Sequence, residues 1–246
     1  MTPLLVIPAR LAATRLPNKP LADIHGEPMI VHVWRRALEA DLGPVLVAAG
    51  DPEIVAAIHA VGGEAELTAP DLPSGSDRVW QALCRRDPEG RHDVILNVQG
   101  DLPTLAPQVL RETLRALATD PSIDIATPVC AITRPEERTN PNVVKAVAGF
   151  APGARHARAL YFSRASVPSG DGPLYHHIGL YAWRRAALAA FVGWAPGVLE
   201  QRERLEQLRA LEHHLRIEAA LVETVPLGVD TPEDLERARA ALAPRA

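Results

Sequence analysis

The chain has 246 residues, of which 47% are hydrophobic and 23% are charged, and its formal net charge at pH 7 is -4. These values are ordinary for a globular protein with ample core, and they exclude the basic footprint of a nucleic-acid-binding protein. Because no apolar run has membrane-spanning length and no basic leader follows Met1, we expect a cytoplasmic protein without a membrane span, whose partners are small molecules or other proteins.

The first half of the chain alternates between short apolar runs and helical patterns. Strands are predicted at residues 4–7, 45–49, 64–67 and 93–98. Helices are predicted at residues 28–38, from Asp51 and Pro52 onward, after Arg78, and at residues 107–117. Pro28 and Pro52 both suit the first position of a helix. This alternation predicts a parallel sheet with right-handed crossovers.

The loop at residues 8–21 follows the first predicted strand and contains three prolines and the three cations Arg10, Arg15 and Lys19. Prolines stiffen a loop by fixing φ, and stiffened cations receive a polyphosphate at little ordering cost. The loop lacks the glycine patterns of a Walker loop and of a dinucleotide fold. The sequence therefore indicates a phosphate-binding loop, and a basic loop that is merely solvated is the alternative.

An amide, a glycine and a carboxylate arrive together where the fourth predicted strand ends, as Gln99, Gly100 and Asp101. In open α/β sheets, ligands bind at the carboxyl ends of the strands. Asp101 is a candidate ligand of Mg²⁺, since this cation takes one or two carboxylates together with substrate phosphates. The alternative is an ordinary turn whose aspartate caps the next helix.

In the second half, strands are predicted within residues 125–129, 140–147, 175–183 and 217–225, and a helix at residues 200–215. The even separation of His177 and Tyr181 predicts that they share one face of a strand.

Asp230 is expected to end a strand at residues 228–230. Thr231 and Asp234 then form a predicted capping box, with Pro232 at the first position of the last helix. The capping box does not use Asp230, so its carboxylate is available for another role.

Four stretches stand in a fixed order along the chain. They are the loop from Ile-Pro-Ala-Arg to Lys-Pro-Leu at residues 7–21, Asn-Val-Gln-Gly-Asp at 97–101, Leu-Tyr-Phe-Ser-Arg-Ala at 160–165, and Gly-Val-Asp-Thr-Pro-Glu-Asp-Leu-Glu at 228–236. Weaker support comes from residues 74–78, 140–142, 177–181 and 205–209. The ordered set resembles the 3-deoxy-D-manno-octulosonate (Kdo) cytidylyltransferases, also called CMP-Kdo synthetases.

The resemblance implies a nucleotidyltransferase of the α/β class, with one domain over residues 1–246. Its mostly parallel, Rossmann-like sheet would be flanked by helices, with a smaller mixed sheet in the second half. It also implies a reaction in which the anomeric hydroxyl of Kdo attacks the α-phosphorus of CTP, giving CMP-Kdo and pyrophosphate for lipopolysaccharide biosynthesis. Mg²⁺ is the implied cofactor and a homodimer the implied assembly. Such a site must mainly position substrates and neutralise phosphate charge.

The resemblance also assigns residue roles. Asp101 and Asp230 match the magnesium ligands and, with Lys19 and Arg10, form the expected catalytic set. Arg164 is the expected partner of the Kdo carboxylate, which a guanidinium binds bidentately. The expected nucleotide-binding residues are Ala9, Arg10, Arg15, Lys19, Ser74, Gly75, Arg78 and Gln99. The expected sugar-binding residues are Gln99, Arg164, His177, Tyr181, Glu206 and Gln207.

Several alternatives stay open at this stage. His177 and Tyr181 are also compatible with a packed pair on a strand, Glu206 and Gln207 with an ordinary helix surface, and Ser74 with a helix cap. The sugar could be a close analogue such as 8-amino-Kdo, because the segment between residues 166 and 177 is shorter than in many family members. Another acidic sugar such as a sialic acid is also an alternative, which the motifs at residues 163–164 and 177–181 disfavour. A sugar-nucleotide sensor without turnover is a third possibility.

Overall fold

The computed structural model describes residues 1–12 and 15–243, so Ala13 and Thr14 of the 7–21 motif lie outside the described residues. The strands are β1 (Pro3–Ala9), β2 (Asp23–Ile24), β3 (Glu27–Pro28), β4 (Val45–Ala49), β5 (Glu64–Leu67), β6 (Val94–Asn97), β7 (Ile125–Ala131), β8 (Lys145–Ala148), β9 (His156–Ser163), β10 (Tyr175–His177), β11 (Tyr181–Arg184) and β12 (Ile217–Val222). The α-helices are α1 (Met29–Leu38), α2 (Pro52–Ala60), α3 (Gly75–Arg86), α4 (Pro107–Ala118), α5 (Pro135–Thr139), α6 (Arg185–Val192), α7 (Val198–Glu203), α8 (Gln207–Glu212) and α9 (Pro232–Ala241).

The chain divides into two compact units. The first comprises Met1–Leu110 and Pro226–Ala246, and the second comprises Arg111–Val225. The expectation of one domain over residues 1–246 stays a prediction.

The first unit contains a parallel sheet in the strand order β6-β1-β4-β5. Strands β1, β4 and β6 are almost continuously apolar and buried, as expected when helices cover both faces of a parallel sheet. The predicted parallel sheet of the first half is thereby confirmed. Because parallel strands end at the same edge, the segments after β1 and β6 emerge side by side there.

Two helix starts in the first unit differ from the predictions. Pro28 is the residue before α1 and closes the short strand β3, so it does not occupy the first helical position. Helix α3 begins at Gly75, several residues earlier than predicted, because the Ser74 side chain caps it by accepting a hydrogen bond from the Asp77 N–H.

The second unit contains a mixed sheet in the order β10-β8-β9-β12-β7-β11. Strands β12 and β7 are parallel, and the pairs β8–β9, β9–β12, β7–β11 and β8–β10 are antiparallel. This confirms the mixed sheet predicted for the second half.

The single strand predicted at residues 175–183 is two strands. Both β10 and β11 pair with β7, His177 opposite Val129 and Ala182 opposite Ala126. His177 and Ala182 are five positions apart in the sequence, whereas their partners on β7 are three positions apart. The two extra residues therefore loop out of the ladder between β10 and β11.

The helix predicted at residues 200–215 is also interrupted. Arg204 has φ of 55°, a left-handed conformation that ends α7 before α8 begins. The strand predicted to end at Asp230 is wrong, because residues 223–230 carry no strand. The predicted capping box after it is confirmed, with Thr231 and Asp234 in reciprocal hydrogen bonds and Pro232 beginning α9.

None of the helices within the described residues has both the length and the apolar character needed to cross a membrane.

Candidate active site

A cavity of about 330 Å³ lies in the first unit, where β1 and β6 end. It is lined by residues from the loop after β1, the start of α3 and the turn after β6, namely Pro8, Ala9, Arg10, Ala12, Lys19, Pro20, Leu72, Ser74, Gly75, Arg78, Gln99, Gly100 and Asp101. All the expected nucleotide-binding residues except Arg15 therefore line one cavity.

Gly100 permits the close approach that forms the floor of this cavity. A Cβ atom on Gly100 would lie 2.7 Å from the Pro8 backbone oxygen, which is closer than real Cβ contacts come. Only glycine lets the turn after β6 pack against the end of β1 without a backbone shift. Gln99 and Asp101 are thereby held beside Ala9.

Lys19 joins the two expected metal ligands. Its Nζ donates to Asp101 Oδ2 at 2.8 Å and to Asp230 Oδ1 at 3.0 Å. Arg15 Nη2 lies 3.0 Å from Asp230 Oδ2 on the exposed side of the cluster. Burial lowers the pKa of Lys19, but the two carboxylates outweigh it and hold this pKa above its usual value. The ammonium therefore stays charged between the two aspartates.

The backbone brings Asp230 to Asp101 without a strand. The Val229 N–H donates to the Asp101 carbonyl at 3.0 Å. The Asp234 carboxylate accepts the N–H groups of Asp230 and Thr231 at 3.0 Å each. The helix cap that the sequence predicts at Thr231 thus also orients the backbone of Asp230.

The donor set of this cluster fits a divalent cation. One cationic group, the Lys19 ammonium, already lies within 3.0 Å of both Asp101 and Asp230, so one ion can contact both carboxylates. Carboxylate oxygens are the ligands that Mg²⁺ prefers. Within the described residues, no cluster of three or more His, Cys, Asp or Glu side chains has metal-binding geometry. A cation held by Asp101 and Asp230 would therefore need substrate oxygens to complete its shell.

Arg78 is largely committed to the wall of the cavity. It is buried and donates to the Thr68 hydroxyl, to Ala69 O at 3.1 Å and to Pro70 O at 3.3 Å. Burial lowers the pKa of Arg78, and the positive charge of Arg10 adds to this effect. Arg78 lines the cavity, and its contacts indicate that it shapes the site through residues 68–70.

Asp51 is a residue of this site that sequence reasoning missed. It lies at the N-cap position of α2, but its side chain makes no capping hydrogen bond. Its Oδ2 instead accepts the Leu11 N–H at 2.7 Å. The end of β4 thereby fixes the start of the cationic loop, a contact over 40 residues that no local sequence signal could reveal.

Except for Gln99, the expected sugar-binding residues belong to the second unit. The rings of His177 and Tyr181 lie 5.6 Å apart, and Gln207 Nε2 lies 3.4 Å from His177 Nδ1. Burial, aided by the negative charge of Glu206, raises the pKa of Tyr181, so its phenol stays protonated. The structure thus brings His177, Tyr181 and Gln207 together, and their binding of a sugar stays a prediction.

Arg164 uses three of its donors on backbone carbonyls. Its Nε donates to Glu203 O at 2.9 Å, its Nη1 to Pro141 O at 3.0 Å and its Nη2 to Arg204 O at 3.3 Å. A guanidinium has five N–H donors, so each terminal nitrogen retains one for a ligand carboxylate. The left-handed turn at Arg204 that interrupts the predicted helix supplies one of these carbonyls.

Lys145 is a second residue that the sequence reasoning did not single out. Its side chain is fully buried, and its Nζ donates to Asn140 O, Val143 O and Arg164 O at 2.9, 2.6 and 3.0 Å. This ammonium fastens the turn at residues 140–143 to the backbone of Arg164. The signal available was a lone lysine within an apolar strand pattern, because such a lysine is rarely buried without partners.

Sequence comparisons relate the chain to known cytidylyltransferases. The sequence profile described as Cytidylyltransferase matches residues 4–217. The chain is 69% identical over 240 residues to a 3-deoxy-manno-octulosonate cytidylyltransferase of Rhodospirillum rubrum, covering 98% of this chain and 95% of the relative. It is 66% identical over 242 residues to the enzyme of the same name from Paramagnetospirillum magneticum, covering 98% of each chain.

Two solved structures extend the comparison. A CMP:2-keto-3-deoxy-manno-octonic acid synthetase complexed with CTP matches with a TM-score of 0.90 and 37% identity over 99% of each chain. A 4-diphosphocytidyl-2C-methyl-D-erythritol synthase from Anaerococcus prevotii has a TM-score of 0.65 at 12% identity over 98% of each chain and shares the fold alone. On its sequence matches over nearly its whole length, the chain belongs to the 3-deoxy-manno-octulosonate cytidylyltransferase family.

Proposed function

We propose that this protein transfers the cytidylyl group of CTP to Kdo, releasing pyrophosphate and forming CMP-Kdo. The observation that carries this proposal is the cluster of Lys19, Asp101 and Asp230 at a cavity lined by the cationic loop, in a chain 69% identical to a 3-deoxy-manno-octulosonate cytidylyltransferase. This arrangement offers charge neutralisation beside a space for a nucleotide. The described residues that line the cavity include no cysteine or histidine, which suits a direct attack by the sugar hydroxyl.

The chain's own groups supply positioning and charge. Arg10 and Lys19 line the cavity and Arg15 borders Asp230, so three cations can neutralise the triphosphate as pyrophosphate leaves. Such prepositioned charges stabilise the transition state without reorganisation. Arg164, through the two N–H donors that its backbone contacts leave, binds the carboxylate of the sugar.

Asp101 and Asp230 would hold Mg²⁺ when CTP is bound. An ion held there would supply Lewis-acid polarisation at the phosphate that is attacked. Support comes from the contact of both carboxylates with one cationic group, the Lys19 ammonium. The Lys19 ammonium, which pairs with both, holds the two carboxylates close together.

We further propose that the protein acts in the cytoplasm as a homodimer in lipopolysaccharide biosynthesis. Support for an interface in the second unit comes from Leu160 on β9 and Val198 on α7, which are 61% and 78% exposed. Sedimentation equilibrium of the wild type and of Leu160→Asp tests the assembly. A monomeric wild type at micromolar concentration would contradict it.

The reaction is tested by pyrophosphate release from CTP and Mg²⁺ with a panel of Kdo, 8-amino-Kdo and sialic acid. We expect turnover with Kdo, and the rates with the other two sugars measure how selective the enzyme is. Omitting Mg²⁺ and adding a chelator tests the cofactor separately. Absence of pyrophosphate with all three sugars, from protein that binds CTP, would favour a sensor over an enzyme.

A further inference from the structure

A buried polar chain in the second unit links Thr127, His177 and Gln207. Thr127 Oγ1 lies 2.9 Å from His177 Nε2, 2.8 Å from Leu180 O and 3.2 Å from Ile178 O. Thr127 is fully buried, and His177 is 7% exposed. The segment that loops out between β10 and β11 supplies both carbonyls.

The direction of each hydrogen bond among Thr127, His177 and Gln207 follows from which groups can donate. A carbonyl only accepts, so the single hydroxyl hydrogen of Thr127 is directed to Leu180 O or Ile178 O. The hydroxyl oxygen must then accept from His177 Nε2. This makes His177 the Nε2–H tautomer, with a lone pair on Nδ1.

The same tautomer sets the orientation of Gln207. Its side-chain nitrogen, 3.4 Å from His177 Nδ1, donates to that lone pair. The opposite orientation of the amide would direct its oxygen at another lone pair. Burial holds the pKa of His177 at about 3, so the ring stays neutral and this direction persists at ordinary pH.

Packing and an ion pair fix the frame around these groups. The rings of Phe162 and Tyr181 lie 4.7 and 5.6 Å from the His177 ring and restrict its rotation. Arg209 binds Glu200 through two hydrogen bonds of 2.7 and 2.6 Å, which ties α8 to α7. Gln207 is the first residue of α8, so its backbone is held and the orientation of its amide is set by the contact with His177.

We propose that Thr127 is a positioning residue of the sugar site, which acts through His177 to present the Gln207 amide oxygen as the acceptor for a sugar hydroxyl. This proposal rests on the proposed function for the identity of the sugar. It also changes the expected role of His177, because both ring nitrogens are used within the protein. His177 then orients Gln207 and makes no hydrogen bond of its own to the sugar.

The test compares Thr127→Val, which is nearly isosteric but lacks the hydroxyl, with Thr127→Ser, which keeps it. We expect Thr127→Val to raise the KM for Kdo roughly tenfold, the size of one lost buried hydrogen bond, with the KM for CTP within about twofold of wild type. Thr127→Ser should restore the low KM. Thr113→Val, which removes another fully buried hydroxyl of the second unit, is the control for a general loss of stability.

A double-mutant cycle locates the effect. If Thr127 acts through Gln207, adding Thr127→Val to Gln207→Leu changes the KM for Kdo by less than about twofold. An equal rise of both KM values in Thr127→Val, or full additivity with Gln207→Leu, would overturn the proposal.

Nitrogen-15 NMR of the ring provides a readout that needs no substrate. The wild type should show His177 as the Nε2–H tautomer at pH 7, assigned by comparison with His177→Gln, and Thr127→Val should lose this preference. A wild-type Nδ1–H tautomer would overturn the proposal even if the enzyme is active. Failure of the proposed function appears differently, as absent turnover with the tautomer intact.

Discussion

The two residue clusters of this protein differ in charge and in burial. In the first unit, Lys19, Asp101 and Asp230 are charged, and the side chain of Asp230 is 46% exposed. In the second unit, Thr127 and His177 are neutral and buried. Charged groups near water can exchange partners with a polyanion or a metal ion, whereas buried neutral groups hold one hydrogen-bond direction. The first arrangement suits phosphate chemistry, and the second suits recognition of a sugar.

The largest expected effect is at Asp101. Asp101→Asn keeps the shape of the side chain but removes its charge, so we expect kcat to fall by roughly 10³-fold or more, as for loss of a group that stabilises phosphate charge. The measurement is pyrophosphate release at saturating CTP, Kdo and Mg²⁺.

Asp93→Asn is the matched control for this variant, because Asp93 precedes the same strand β6 at its opposite end. It should retain activity. Near-normal kcat in Asp101→Asn, with an unchanged circular dichroism spectrum, would remove Asp101 from the catalytic set.

The next prediction concerns the coupling of Asp101 and Asp230. We expect Asp101→Ala and Asp230→Ala to be strongly non-additive in kcat/KM, since each alone dismantles the shared site. Simple addition of the two losses would mean that the carboxylates do not act on one group.

Lys19 contacts both carboxylates, so it could produce this non-additivity without a metal. Electron paramagnetic resonance of Mn²⁺ in the presence of CTP separates the two causes. If Asp101 and Asp230 both hold the ion, each single variant weakens Mn²⁺ binding. Weakening in only one of them would contradict a shared site.

The comparison of the two clusters also shows what local sequence signals can and cannot predict. Strand β4 and the capping box at Thr231 were predicted with their observed bounds and contacts, because apolar runs and caps depend on a few neighbouring residues. The loop between β10 and β11 forms because both strands pair with β7. Strand β7 lies some 50 residues away in the sequence, so a local pattern does not contain this pairing. Local periodicity therefore predicted one strand there.

The site residues show the same limit. Asp101 could be found from its place after a strand, while the direct bridge by Lys19 spans 211 residues and depends on the folded chain. Asp230 was assigned through the resemblance, and the strand predicted before it is wrong. Thr127 could not be identified from sequence, because a threonine in a strand is ordinary and only its contact with His177 distinguishes it.

A smaller effect is expected at Arg164. Its side chain is charged, as in the first cluster, but it is held by hydrogen bonds to three backbone carbonyls. Arg164→Lys keeps the charge and loses the planar fork, so we expect the KM for Kdo to rise about tenfold with little change in the KM for CTP. Steady-state kinetics with each substrate varied in turn measures this. An equal rise in both KM values would show that Arg164 supports the fold instead of the sugar.

The smallest effect on activity, and the clearest on stability, is the response of His177 to pH. Its pKa is lowered from 6.5 to about 3, chiefly by burial, so the unfolded chain binds a proton at this position below about pH 6.5 and the folded chain does not. Stability is therefore full above pH 6.5 and is lost as the pH falls from there toward 3. Between pH 6.5 and 5 this one proton should cost about 2 kcal/mol of unfolding free energy. Urea unfolding of the wild type and of His177→Gln at both pH values measures the difference, which should shrink by that amount in acid. If the two proteins lose stability in parallel, His177 is protonated or exposed in the folded state, and the buried neutral cluster of the second unit does not exist as described.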